Sequence, residues 1–366
     1  MTSSPLLAGR VPHEGLWLEG YSLTVVPGGV LLAGGNAWHP EDGGTTSRPT
    51  ASACFWERVT GQWQPLTPLP LPLQDHAAVP LRDGRVLLLG GKRSGVMELG
   101  ETWLWDAVTR RFQEGPPLLA ARARPLAVSL AEGTVLVLGS DFDDDFERGT
   151  RAEVLAPGAS AWEPAGQTAR IFHPGPVCTS GERVLIAGGR DNGMGFAIVD
   201  GVHYAPPLDQ QTEVWERGSR TWRTANPLKR SRDDALGVTL ADGRVLVQGG
   251  WERGRNLGTA EVWDPRTETW SETGEVALPR SGQALTALPD GGAAVSGGLV
   301  DSALQGTETV ELWDPVRGTW SPGPPLTQPY SGHRLVPVEG DTFLVVGLIR
   351  DAEDIPRVSW ELWRPR

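Results

Sequence analysis

Short runs of branched apolar residues punctuate this chain at near-equal intervals, each opened by a turn dipeptide and closed by glycine. DGRVLVQGG (242–250) is the clearest, and DGRVLLLGG (83–91) almost repeats it. Weaker versions are GGVLLAGG (28–35), GTVLVLGS (133–140), ERVLIAGG (182–189), GGAAVSGG (291–298) and DTFLVVGL (341–348). The first glycines of these pairs are Gly34, Gly90, Gly139, Gly188, Gly249, Gly297 and Gly347, at steps of 56, 49, 49, 61, 48 and 50 residues. Seven copies at a period near fifty predict a repeat architecture running the length of the chain.

Each copy divides into four short strands. In the fifth, LGVTL (236–240) is an apolar strand, and Asp242-Gly243 is the dipeptide favoured in two-residue hairpins. Val245–Val247 form a second strand. After a polar loop, TAEVW (259–263) alternates as a half-buried strand does. Asp264-Pro265 then turns the chain, because proline ends strand pairing, and Glu268–Trp270 opens a fourth strand. Four antiparallel strands in a meander make a propeller blade. The predicted fold is all-β: a seven-bladed propeller of four-stranded blades over 20–66, 74–115, 123–165, 174–226, 234–274, 282–324 and 332–366, the last completed by residues 2–9. That completion follows from spacing. The seventh copy stops at Arg366 where a fourth strand is due, and the repeat interval counted back from Gly34 places Pro5–Ala8 as the missing strand, paired with Ser359–Trp363. Closing the ring in this way removes exposed strand edges.

Sixteen tryptophans fit this picture. They recur in the third strand (ACFWE, TWLWD, TEVWE, TVELWD, SWELWR), and the fourth strand carries Trp63, Phe112, Trp162, Trp222 or Trp320. Packing between blades accounts for most of them, at about 1.5–3 kcal/mol for each large ring fully buried. A glycine doublet after an apolar strand, a third-strand aromatic and a tryptophan about six positions later resemble the kelch repeat over essentially the whole chain. The chain prefers tryptophan where kelch repeats often carry tyrosine, and it has Ser140 and Leu348 in place of the second glycine. The resemblance implies that the first strand of each blade is innermost. Loops from strand two to three, and from strand four to the next blade, then share one face.

All six histidines fall on that face: His13, His76, His173 and His333 between blades, His39 and His203 after glycine pairs. His76 precedes Gly90 by the same interval as His333 precedes Gly347, and His173 stands one position further ahead of Gly188. These three are therefore expected near the mouth of the central channel. Gln283 holds the same station in blade six, with Asp233 and Asp234 beside it in blade five. Imidazoles converging there suit a transition metal or general acid–base work by His76, His173, His333, Asp233 or Asp234. The alternative implied by the resemblance is a histidine bonded to a neighbouring loop. The same face is rich in arginine, whose planar fork matches carboxylate or phosphate. Arg124, Arg170, Arg232 and Arg280 are the candidate ligand contacts there, with Gln283, Trp17, Tyr330, His203 and Tyr204; loop-to-loop ion pairing is the alternative. Two loops are long, Asn36–Ala51 and Arg190–Gln211, the latter apolar enough to pack down as a lid, and the acidic run DFDDDFE (141–147) suits a hard cation or, as the alternative, a solvated loop.

The net charge of -12 argues against nucleic acid as partner, since that surface must neutralise phosphates. No apolar run reaches membrane-span length, and MTSSPLLAGRVPHEG lacks a secretory leader pattern, so a monomer in the cytoplasm is expected. Cys54 and Cys178 cannot build a disulfide framework. Copper chemistry of the galactose-oxidase kind, which the resemblance brings into view, requires a Tyr–Cys crosslink. The three tyrosines, Tyr21, Tyr204 and Tyr330, offer neither cysteine an evident partner. The leading expectation is a propeller that binds a polar or anionic small molecule, or an acidic peptide, at its His/Arg face. A small-molecule enzyme at the same mouth (oxidase or cyclase, lyase, isomerase) is the alternative.

Overall fold

The computed structural model describes residues 8–12, 19–38, 47–96, 98–139, 150–169, 172–173, 175–191, 197–199, 202–204, 210–252, 254–300, 305–350 and 356–366. They build seven four-stranded antiparallel sheets, six of them simple meanders. In blade 1 the strands are Ser22–Val26, Gly29–Ala33, Ala53–Glu57 and Gln62–Pro65. The inner strands of the others start at Ala77, Leu126, Val177, Leu236, Ala284 and Ser331. Each inner strand touches the inner strand on either side, and the contact from blade 7 to blade 1 completes a closed ring.

Burial follows the radial order of the strands. Second strands such as Val135–Leu138 and Val245–Gln248 are sealed at every residue, because sheets cover both faces and strands flank both edges. Third-strand tryptophans Trp105, Trp215, Trp263 and Trp363 are fully buried. Each of the first three sits opposite an outer-strand ring, as in the pairs Trp105 with Phe112 and Trp215 with Trp222. Trp215 donates its indole N–H to Ala165 O at 3.0 Å, and Trp363 donates to Pro324 O at 2.8 Å, so these rings also tie one blade to the one before it.

The ring closes through the amino-terminal segment. Ala8–Arg10 pairs antiparallel with Glu361, Trp360 and Ser359. The partner strand is the expected one, and the pairing begins at Ala8, the last residue of the expected Pro5–Ala8; residues 2–7 lie outside the described residues. Cys54 Sγ donates to Pro12 O at 3.0 Å just beyond this strand.

Two local features differ from the pattern. The Asp242-Gly243 hairpin is not a two-residue turn: Leu240 and Arg244 pair across it, Gly243 alone is left-handed at φ +86°, and Asp242 accepts the Arg244 N–H at 3.1 Å. This is the three-residue turn with a terminal glycine bulge, for which only the glycine needs positive φ. In blade 7, where Leu348 replaces the second glycine, the second strand continues unbroken from Thr342 to Arg350.

Candidate functional site

The glycine pairs make room for the next blade. Gly249 and Gly250 are both left-handed (φ +70° and +93°), and a Cβ on Gly249 would lie 2.8 Å from Nε2 of Gln283 in the following blade. The same fit recurs around the ring. A Cβ on Gly34 would meet His76 Cε1 at 2.9 Å, and one on Gly297 would meet His333 Cε1 at 2.6 Å. In blades 2, 6 and 7 the residue at the start of the inner strand thus reaches back over the previous blade and clasps it. His76 Nε2 shares a 2.8 Å hydrogen bond with Ser22 Oγ, and His333 Nε2 shares one of 2.8 Å with Ser296 Oγ. Gln283 donates weakly to Gln248 Oε1 at 3.4 Å, and Tyr21, which strand register makes their blade 1 equivalent, donates to Val346 O at 2.9 Å.

Both imidazoles therefore stand where expected along the chain but turn into blade junctions, not into the channel. Both are buried, and each Nδ1 lacks a partner. Burial pulls each pKa down to about 3; the Arg334 charge adds to this at His76, and the Arg280 charge adds to it at His333. They hold the 1–2 and 6–7 junctions respectively and do not converge. Among the described residues no three His, Cys, Asp or Glu side chains gather as metal ligands.

A second set of expected ligand contacts is also interior. Arg122, Arg232 and Arg280 share one station in the repeat, each donating to the first glycine carbonyl of its own blade (Gly139, Gly249 and Gly297). All three are fully buried and face a third-strand glutamate. The ion pairs are Arg122–Glu153 at 2.8 Å, Arg232–Glu261 at 3.1 Å and Arg280–Glu311 at 2.6 Å. Each glutamate also accepts backbone N–H groups of the connection that leads into its blade, as Glu261 does from Lys229 and Arg230. Arg232 donates to Gly249 O and Thr259 O, both at 2.8 Å. A sealed carboxylate on one strand draws the guanidinium inward, so Arg232 and Arg280 are not available at the rim. Tyr330 takes the arginine's station in blade 7. It too is fully buried, its hydroxyl 3.4 Å from Ser359 Oγ, and burial raises its pKa. Gln283 is buried as a clasp. Asp233 is buried and bridges to Trp251 through the backbone.

The rim itself is built one residue before the clasp. That residue is left-handed in six blades: Gly20, Asp75, Arg124, Asp234, Gly282 and Gly332, with φ between +50° and +63°. Glycine adopts this freely, whereas other residues there carry strain, and such strain concentrates at functional positions. Asp75, Arg124 and Asp234 are thus charged side chains at stations that three other blades fill with glycine. Arg124 Nε donates to Asp75 Oδ2 at 3.3 Å, Lys92 Nζ lies 3.6 Å from the same oxygen, and Arg124 remains 58% exposed. Asp234 is exposed.

One rim residue is absent from the sequence-based candidates. Arg334 is the first residue after the His333 clasp, at the station occupied by Ser22, Ala77, Leu126, Leu236 and Ala284 in other blades. It is exposed, its guanidinium lies 5.6 Å from the centroid of the Tyr21 ring, and no carboxylate pairs with it among the described residues. Its charge adds to the lowering of the His76 pKa two blades on. Aligning the seven inner strands exposes it as the lone cation among small or apolar residues. Trp17 and Arg170 lie outside the described residues. His173, His203 and Tyr204 are placed only as backbone: Phe172–His173 pairs with Arg190–Asp191, and Val202–Tyr204 pairs with Ala197–Val199 within the long loop.

Comparison with known proteins agrees with this architecture. Residues 235–275, the fifth blade, match the kelch motif. A fungal alcohol oxidase of the AA5 family, solved in complex with copper, superposes with a TM-score of 0.71 at 15% identity, covering 98% of this chain and 76% of that one. No curated protein matches the chain in sequence. The chain is thus a seven-bladed propeller whose fifth blade matches the kelch motif, and the fold, with 677 matching solved chains, is shared too widely to choose a function by itself.

Proposed function

We propose that the protein is a ligand-binding propeller whose mouth holds an anionic partner, with Arg334 as the principal contact and Arg124, three blades on, as a second cation of the rim. The observation that carries this reading is the unpaired, exposed Arg334 guanidinium fixed over the Tyr21 ring in a protein of net charge -12. An acidic protein has carboxylates in excess with which to neutralise a surface arginine, yet none of the described ones reaches this one. Its stacking on an aromatic face holds the fork in place, which lowers the ordering cost of receiving a carboxylate. Asp75 tethers Arg124 and Lys92 on the same arc and holds those cations at the rim.

A copper enzyme is the second reading, prompted by the alcohol oxidase that shares the fold. The described residues do not fit that metal. The His76 and His333 rings are bonded to serines in separate junctions, and the Tyr21 and Tyr330 hydroxyls are buried with oxygen partners.

Thermal-shift and calorimetric titration of wild type and Arg334→Gln with acetate, succinate and inorganic phosphate at low ionic strength tests the proposal. Stabilisation of wild type by at least one anion, weakened in the variant, is expected. Equal responses of the two proteins, or none in either, overturn it.

A further inference from the structure

Two unpaired charges of opposite sign stand on the rim. Arg334 enters the inner strand of blade 7, exposed over Tyr21. Asp234 precedes the inner strand of blade 5; it too is exposed, and no cation pairs with it among the described residues. Its backbone is held at φ +57°, where three other blades have glycine. The rim between the two is bare. Gly282 and Gly332 occupy this station in blades 6 and 7, and a Cβ on Gly332 would meet nothing within 4 Å. With neighbouring inner strands within 8 Å at Cα, stations two apart on a regular seven-membered ring are separated by no more than about 14 Å, which three or four extended residues span at about 3.3–3.6 Å each.

Below the rim the axis is polar. Each inner strand ends the strand order of its sheet, so it is paired on one edge only. Such an edge presents the N–H and C=O groups of alternate residues without a strand partner. Ser129, Thr179 and Thr239, all partly exposed, add hydroxyls further down the same wall. One of these groups is used internally, since Thr239 Oγ1 donates to Thr179 O of the preceding blade at 2.7 Å.

From this arrangement we infer that the ligand is a short peptide with both termini free, lying across the mouth with its carboxylate on Arg334 and its ammonium on Asp234. This rests on the reading of the mouth as an anion site and adds the opposite pole. A terminal carboxylate matches the guanidinium fork through two parallel N–H···O bonds, and a terminal ammonium donates to the aspartate. Between the termini, each amide both donates and accepts, as the open strand edges require of anything that pairs with them. A dianion such as succinate satisfies one pole and is repelled by the other. A free α-amino acid carries its two charges too close together to reach both.

Calorimetric titration of the full chain with acetate, glycine, di-, tri-, tetra- and hexaglycine, N-acetyltriglycine and 8-aminooctanoate, the amide-free chain of triglycine's length, tests this. Affinity should peak at tri- or tetraglycine, and triglycine should bind about fivefold more tightly than its N-acetyl form. It should also bind more tightly than 8-aminooctanoate. Asp234→Asn should bring triglycine down to the affinity of N-acetyltriglycine and leave the acetylated peptide unaffected, whereas Arg334→Gln should weaken both. Both substitutions are on exposed side chains, and thermal melting checks that each variant is folded. Equal affinity for triglycine and its N-acetyl form, or no dependence on length, overturns the inference; acetate binding that still depends on Arg334 then leaves the mouth as an anion site. Binding of 8-aminooctanoate as tight as that of triglycine overturns the assignment to a peptide. No response to any carboxylate removes both the inference and the reading beneath it.

Discussion

His333 and Arg334 are consecutive residues entering the same inner strand, and their surroundings are opposite. His333 is turned back over Gly297, shut from water and bonded to Ser296; Arg334 stands exposed over Tyr21 with no described carboxylate at hand. The same division separates Arg280, sealed against Glu311, from Arg124, open at the rim. Residue type tells neither pair apart. What decides is the station in the repeat. The station of Arg280 faces a third-strand glutamate, the clasp faces a glycine of the previous blade, and the left-handed residue before the clasp, with Arg334 after it in blade 7, stands at the rim. Polar residues on a propeller's loop face therefore belong to two concentric systems, one holding blades together and one presented to a partner.

The sharpest way to break this division is to remove a buried member. Arg280→Ala leaves Glu311 without its ion pair in the interior, and loss of one partner of such a pair costs about 3–5 kcal/mol. Denaturant unfolding should show that loss. A change below about 1 kcal/mol, the scale of an exposed pair, would mean that Arg280 behaves like a rim residue and that the two systems are not distinct.

The histidine clasp should show itself in the pH dependence of stability. His333 has its pKa lowered to about 3 in the folded protein, chiefly by burial, against an ordinary value near 6.5, so the unfolded chain binds the proton more readily. Its contribution is present above about pH 6.5 and is lost as pH falls towards 3, at up to about 1.4 kcal/mol per unit. His76 adds the same dependence at the 1–2 junction. His333→Gln, which places at this junction the residue that blade 6 uses at Gln283, should reduce the slope between pH 6 and 4 while keeping the protein folded at pH 7. His333→Ala should cost about 1–3 kcal/mol at pH 7 through the orphaned serine and the space left. An unaltered acid slope in the glutamine variant would show that His333 is not sequestered.

Rim residues should behave differently. Arg124→Ala removes an exposed ion pair with Asp75 and should change stability by no more than about 1 kcal/mol. Its effect belongs in anion titration, which should weaken while the melting temperature stays nearly fixed.

Much of the fold is legible because it rests on periodicity: a glycine pair in nearly every repeat, a tryptophan at the end of most third strands, and a spacing that points to the amino end as the closing strand. The buried half of the site is not legible from one copy at a time. Arg232 reads as a ligand fork because Glu261 lies two strands away along the chain. Yet an arginine and a glutamate recur together at these stations in blades 3, 5 and 6, and that covariance within the chain is the available signal. His76 and His333 are placed by spacing at the correct end of the correct strands. Their direction is hidden because it depends on a glycine in the preceding blade. Arg334 escapes notice because it lies inside a strand, where an arginine looks like an ordinary exposed residue until the other six strands are set beside it.

The smallest effect is the most pointed test of why the rim stations carry charge. Asp234 holds φ +57° at a station where blades 1, 6 and 7 have glycine. If the left-handed turn were the only requirement, glycine would serve, because it reaches this region without a Cβ penalty, whereas aspartate bears part of it despite being one of the more tolerant residues. Asp234→Gly should raise stability by about 0.5 kcal/mol, the conformational relief slightly exceeding the extra freedom of the unfolded chain. Asp75→Gly should gain less or lose, because it also releases Arg124 and Lys92. A stability gain at Asp234 accompanied by altered ligand titration would mean that the carboxylate is kept at the mouth against the preference of the backbone. A gain with no change in titration would confine the binding surface to the arc from Arg334 to Arg124, and a loss would show that Asp234 supports the fold after all.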